Sequence, residues 1–195
     1  MLEARDTRAA ILRHAAEVGS MEGLEGITIG RLASDLDLSK AGVIGHFGSK
    51  EDLQLETLQL GADLFREHVW ARARHHTPGM PRLLAICEAW SAYLEDSPLP
   101  GGCLIAAVSF EFDNRGGRVH DAIAELARTW RDTLLREIRI AIDAGDLPAD
   151  SDSEQIAFTL EALASGVNPA RMLLGDANVR QRCLRAMRAT LGQPA

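Results

Sequence analysis

The sequence predicts an all-α protein built as a small N-terminal three-helix head, carrying a helix-turn-helix, on a larger helical body. Two observations carry this. Apolar residues recur at three- and four-residue intervals, and the period-two alternation of strands is scarce. The breakers (Gly, Pro, Asn, Asp) fall in clusters that cut the chain into a few short segments and then several longer ones.

Taken in order, helices are expected near 7–22, 28–36, 39–46, 50–75, 82–96, 103–112, 118–144, 152–174 and 177–191. The intervening breakers are Gly23 to Gly26, then residues 77–81, 97–102, 113–117, 145–148 and Gly175-Asp176. Thr28 has the chemistry of an N-cap, its hydroxyl oxygen able to accept from a free N–H of the first turn. Ser49 with Asp52, and Ser151 with Glu154, have the spacing of capping boxes. The second and third segments are too short to be stable alone, so they must be held by packing on their neighbours. Domain boundaries follow: residues 1–50 as the head, 51–195 as the body. No internal repeat or low-complexity segment is visible.

Composition narrows the function. The 195 residues are 46% apolar and 25% charged, an ordinary globular balance, and no apolar run approaches a membrane span. Residues 1–8 lack the apolar stretch of a signal peptide, which predicts a cytoplasmic protein with no membrane partner. Three cysteines, Cys87, Cys103 and Cys183, without CxxC spacing suit reduced thiols better than disulfides or zinc. The histidines show no i,i+4 pairing and no HExxH, so no metal is expected, and no cofactor motif or nucleophile–base pair marks an enzyme. A formal net charge of −7 gives no general attraction to polyanions, so any nucleic-acid binding must be local.

Residues 28–50 supply such a local surface. Ile29, Leu32, Ala33 and Leu36 make one apolar stripe, and Leu38, Val43 and Phe47 make another after a break. That is a helix, a tight turn and a second helix, with Ala33 small enough for close packing. The second helix of such a pair enters the major groove of double-stranded DNA, here with Ser39 at its N-terminus. For readout, Lys40 can reach guanine acceptors or phosphate, Ser39 a phosphate or base, and the Ala41 methyl a thymine methyl. His46, Lys50 and Thr28 are candidate phosphate anchors. Gly42 and Gly45 offer no side chain but allow close backbone approach. Taken singly, Lys40 and Lys50 read as solvated surface lysines and His46 as a packing residue; their joint spacing carries the DNA reading.

The spacing is more specific than a generic helix-turn-helix. Ile11-Leu12, Ala15, Gly23, Thr28, Leu32-Ala33, Leu38-Ser39-Lys40, His46-Phe47, Ser49-Lys50-Glu51 and Leu53 resemble the DNA-binding domain of the TetR family of bacterial transcriptional regulators. The resemblance covers about the first quarter of the chain. The Gly101-Gly102-Cys103 turn and the Glu111-Phe112-Asp113 run resemble one C-terminal subgroup of that family. Three kinds of departure from the pattern stand out. Asp37 replaces the turn glycine, Ile44 stands where a phosphate-contacting tyrosine is common, and Gly42 and Gly45 lie inside the recognition helix, each costing about 1 kcal/mol of helix propensity against Ala.

The resemblance implies a repressor that a small-molecule effector releases from a palindromic operator, acting as a homodimer through its last two helices. Trp90, Tyr93, Cys103, Phe110 and Trp130 are the effector-pocket candidates in the body, against the plainer reading of core packing. Ile156, Leu160, Leu163 and Val167, with Val179, Cys183 and Met187, form stripes that read either as a dimer interface or as the body's own core. Two rivals stand beside this reading. One is a thiol-redox regulator of the same fold using Cys103 at a helix start. The other is a helical ligand-binding protein or enzyme without DNA function.

Overall fold

The computed structural model describes residues 4–194, and every regular element among them is helical. Of the N-terminal stretch expected to lack a leader, residues 1–3 lie outside the described residues. The elements are α1 (Ala4–Glu22), α2 (Ile29–Asp35), α3 (Lys40–Phe47), α4 (Lys50–Phe65), a π-helical stretch (Arg66–Trp70), α5 (Ala71–Ala73), α6 (Met80–Glu95), α7 (Leu104–Phe112), α8 (Arg118–Asp143), α9 (Ser153–Ser165), α10 (Val167–Met172) and α11 (Val179–Thr190). They form two compact units: the described part of Met1–Leu64 with Pro98–Glu125, and that of Phe65–Ser97 with Leu126–Ala195.

In the first unit, apolar residues of α1 at three- and four-residue spacing (Ile11, Ala15, Val18) are buried with Leu24, Ile27, Leu32, Val43, Leu53 and Leu58. Burial of each such leucine or isoleucine stabilises by about 1.5–3 kcal/mol. Leu104 of α7 completes this core where two glycines let it in. A Cβ at Gly61 would stand 2.8 Å from its Cδ2, and one at Gly19 3.1 Å from its Cδ1.

The second unit is organised on α6, whose Leu83, Ile86, Cys87, Trp90, Tyr93 and Leu94 are buried. Met80 begins this helix two residues before the predicted start, because Pro81 sits in the first turn, where its missing N–H costs nothing. Glu137 of α8 is fully buried but satisfied. It accepts from the Gly79 N–H (3.0 Å), from Arg82 Nη1 (3.1 Å) and from Arg136 Nη2 (3.2 Å).

Several expectations are corrected. The single helix expected over 152–174 is two, α9 and α10, parted at Gly166. Pro169 has no N–H for the Ser165 carbonyl and its ring crowds that oxygen, so the ladder cannot continue. The cap of α9 is Asp152 rather than Ser151: Asp152 Oδ1 accepts from the N–H groups of Glu154 and Gln155, both at 3.0 Å. At Ser49 only half a capping box forms. Its Oγ accepts the Asp52 N–H (3.0 Å), while the Asp52 carboxylate accepts the Ser49 hydroxyl (2.6 Å) instead of a backbone N–H. The helix expected over 50–75 ends at Ala73 and passes through a π-helical turn.

Candidate functional site

The helix-turn-helix is set by local chemistry. The Arg31 N–H donates to Thr28 Oγ1 (3.1 Å), starting α2. Asp37 turns the chain with φ of +54°, a left-handed conformation that Asp tolerates better than most residues. Ser39 then caps α3, its Oγ accepting the Gly42 N–H at 3.0 Å. Gly48, with φ of +81°, ends α3 by donating to the Ile44 carbonyl at 2.7 Å.

This geometry divides α3 into two faces. Val43 and Phe47 are buried, while Ser39, Lys40, Ala41, Gly42, Ile44 and Gly45 are exposed, Ile44 by 45%. The Ser39 and Thr28 oxygens accept backbone N–H groups, so each hydroxyl still has its own hydrogen to donate outward. A Cβ at Gly42 would lie 3.2 Å from Ser39 Oγ, whereas nothing comes within 4 Å of one at Gly45. His46 is half-buried, its ring edge-on to Phe47 at 6.2 Å.

Charge around this face is more constrained than the sequence indicated. Lys50 is not a free cation, since its Nζ lies 2.9 Å from Glu25 Oε2. That contact holds the Glu25 carboxyl below its ordinary value of 4.5, with Arg115 (3.3 Å) adding to the effect. Arg31 is held by Glu22 (2.8 Å), which lowers the Glu22 carboxyl and raises the guanidinium. Asp35 of α2 is lowered by its contact with His14 Nε2 of α1 (2.9 Å) and then by Arg31. The Lys40 side chain lies beside Gly30 of α2, its Cε 3.3 Å from where a Cβ there would be.

In the second unit, Trp90, Tyr93 and Trp130 do come together, around a residue the sequence did not single out. Phe65 stands edge-on to Trp130 (4.8 Å), Tyr93 (5.6 Å) and Trp90 (6.1 Å), and Trp90 meets Trp130 at 5.1 Å. His68 lies 5.7 Å from Tyr93. The Trp130 indole N–H is buried without an acceptor among the described residues. Phe65 is one more apolar residue in the pattern of its own helix, and its ring partners lie on others, so local spacing held no signal for it.

Phe110 and Cys103 belong to the other unit. Phe110 is 68% exposed on α7, and Cys103 is buried at its start. Burial raises the Cys87 thiol to about 12 and the Cys183 thiol to about 11. No group of metal-ligating residues occurs among the described residues.

Of the stripes read either as an interface with a second copy or as the body's own core, most residues turn inward. Leu160, Val167, Val179, Cys183 and Met187 are buried within their own chain, with Ile156 and Leu163 half-buried. Their periodicity is that of a helix covering the core beneath it. The apolar side chains left on the outside are Phe158 (60% exposed), Met172, Leu173 (82%) and Leu174 (80%).

Comparison with known proteins agrees with this architecture. Residues 11–57 match the family model described as bacterial regulatory proteins, tetR family, and residues 79–187 match the tetracyclin repressor-like C-terminal domain. No curated protein matches the sequence. A TetR transcriptional regulator from Chloroflexus aurantiacus superposes with a TM-score of 0.88 at 23% identity, over 100% of this chain and 98% of that one. AibR in complex with isovaleryl coenzyme A and operator DNA gives 0.75 at 21%, over 91% and 96%. A regulator from Saccharomonospora viridis in complex with choline gives 0.75 at 23%, over 92% and 94%. No helix among the described residues is long and apolar enough to cross a membrane. With both halves of the chain matched in order, the protein belongs to the TetR family of bacterial DNA-binding transcriptional regulators.

Proposed function

We propose that this regulator is a homodimeric cytoplasmic repressor that leaves a palindromic operator when a small molecule binds its helical body. The observation that carries the DNA part is the division of α3: Val43 and Phe47 anchor the helix while Ser39, Lys40, Ala41, Gly42, Ile44 and Gly45 face outward. Residues 1–50 act as the DNA-binding head and 51–195 as the effector-binding and dimerisation body. Lys40 reads base edges or a phosphate, and the Ser39 and Thr28 hydroxyls donate to phosphates. His46 adds a further phosphate contact, and Lys50 does so once it is shared away from Glu25. With glycine at 42 and 45 and no hydroxyl at Ile44, backbone approach and groove shape supply much of the affinity.

Two copies meet through the outer side of α9, α10 and the turn that follows α10, where Phe158, Met172, Leu173 and Leu174 are exposed. Large apolar side chains left exposed in this way are what a partner covers. Two-fold symmetry then sets operator half-sites about 34–36 Å apart, or a multiple of that.

The effector meets the ring cluster of Phe65, Trp90, Tyr93 and Trp130, a mostly apolar wall that includes the buried Trp130 indole N–H. Structural neighbours bound to isovaleryl coenzyme A and to choline support small-molecule binding without fixing its class. Release requires that the effector favour a body conformation in which the heads fit DNA poorly, by its difference in affinity for the two states. The reading needs no catalytic step. Burial of Cys103 argues against a thiolate sensor.

The deciding experiment is fluorescence anisotropy of a labelled duplex from the chain's own upstream intergenic region, against a scrambled duplex, over a salt series. Sequence-selective binding that weakens steeply with salt supports the reading. Equal binding to both duplexes, or to neither, defeats it.

A further inference from the structure

We infer that Glu111 is a positioning residue for DNA binding, the group on α7 that fixes the turn from which the head's helix-turn-helix departs. The inference rests on the DNA-binding reading above. Glu111 reaches the turn between α1 and α2 and accepts two consecutive backbone N–H groups, Leu24 at 2.8 Å through Oε2 and Glu25 at 2.9 Å through Oε1. A carboxylate held by adjacent N–H groups makes charge-assisted bonds, roughly twice as strong as neutral ones. The turn is shaped for this group. Gly23 has φ of +78°, and a Cβ there would fall 2.3 Å from Glu111 Oε2 and 2.7 Å from its Cδ.

The other side of the turn is held as well. Gln54 of α4, itself buried, donates through Nε2 to the Leu24 carbonyl at 2.8 Å, and the Leu24 side chain is fully buried. The chain runs from there to Thr28 and into α2. The fork also fixes where the Glu25 side chain starts, and Glu25 is the partner of Lys50 (2.9 Å) and Arg115 (3.3 Å). Arg115 stacks on Phe112, the neighbour of Glu111 in sequence (5.0 Å). The segment from Glu111 to Arg115 therefore grips the turn twice, once by backbone and once through Glu25. Displacing α7 pulls both grips together, moving the start of α2 and redistributing the partners of Lys50.

The test uses the full chain and a fluorescent duplex selected by the parent protein from a random pool. Gln at 111 presents one acceptor oxygen and turns an NH2 toward the second N–H, so it keeps half of the fork. E111Q is expected to weaken duplex affinity about tenfold, and E111A further. E111D keeps the charge on a shorter stem and falls between the parent and E111A. Each variant is measured well below its own thermal midpoint, with tryptophan fluorescence as a control, since Trp70, Trp90 and Trp130 all lie in the second unit.

A purely structural role would not couple Glu111 to Lys50. In a double-mutant cycle, E111Q with K50A is expected to lose less than the two single losses summed, because Glu111, by placing Glu25, sets how Lys50 is shared between Glu25 and phosphate. Amide exchange at Leu24 and Glu25 should speed up in E111Q. Unchanged affinity in E111Q, or losses that add in full with K50A, overturns the inference and leaves DNA binding standing. A parent that selects no duplex overturns both.

Discussion

The Lys40 side chain of α3 runs across Gly30 of α2: a methyl group at Gly30 would stand 3.3 Å from Lys40 Cε and 3.6 Å from Nζ. The missing side chain at one position thus leaves room for the cation at another, and Lys40 is exposed. Lys40→Ala removes the cation without touching the core. It should raise the operator Kd about tenfold and reduce the log–log salt slope by about one if Lys40 meets a phosphate. Gly30→Ala should fold as stably as the parent, displace Lys40 by a few tenths of an ångström and weaken binding less. An unchanged Kd in Lys40→Ala would remove Lys40 from the interface.

Gly45 has open space where a Cβ would stand, and Gly42 does not. Gly45→Ala should therefore recover about 1 kcal/mol of helix propensity, raising the melting temperature by roughly 2–4 °C, while the added methyl obstructs the duplex and weakens binding. Gly42→Ala should gain less stability, because its methyl would press on the Ser39 cap at 3.2 Å. Calorimetry and anisotropy on the same samples check both signs. A Gly45→Ala protein that is more stable and binds equally well would show that the backbone does not approach DNA there.

The head should also be acid-sensitive through Glu25. Its carboxyl lies below its ordinary value of 4.5 in the folded chain, because Lys50 and then Arg115 favour the charged form. A group lowered by folding stabilises above its unfolded pKa and loses that contribution as pH falls through the folded one. Glu25 is largely exposed, so screening keeps the effect small. The parent's melting temperature should then fall more steeply than that of Glu25→Gln as pH drops below about 4.5. Parallel pH profiles would show that the Lys50 contact contributes nothing in solution.

Substitutions on the two faces of the C-terminal helices should separate assembly from folding. Leu173→Glu places a charge on an outward position and should shift the chain toward monomer in sedimentation, leaving its helical content unchanged. Met187→Ala empties a fully buried site and should cost about 2–5 kcal/mol of stability. A Leu173→Glu protein that remained dimeric would move the interface elsewhere.

The head was readable because its determinants are local. Thr28 and Ser39 cap the helices that follow them, Asp37 takes the left-handed turn, and Val43 and Phe47 fall on the inner face by spacing alone. Each of these is an interaction over a few residues, so residue type and position suffice. The same reasoning placed Leu160, Cys183 and Met187 on shared stripes. It could not say what those stripes meet, because periodicity defines a face and not its neighbour.

The amino-acid order by itself therefore determined an all-helical chain, the helix-turn-helix, its caps and which of its side chains face outward. The tertiary structure alone decided which amphipathic faces close on their own chain, that Phe65 joins Trp90, Tyr93 and Trp130, and that Glu111 reaches across 87 residues to the Leu24 N–H. Such contacts depend on which segments chain packing brings together, and that is set by burial summed over the whole core, not by any short run of residues.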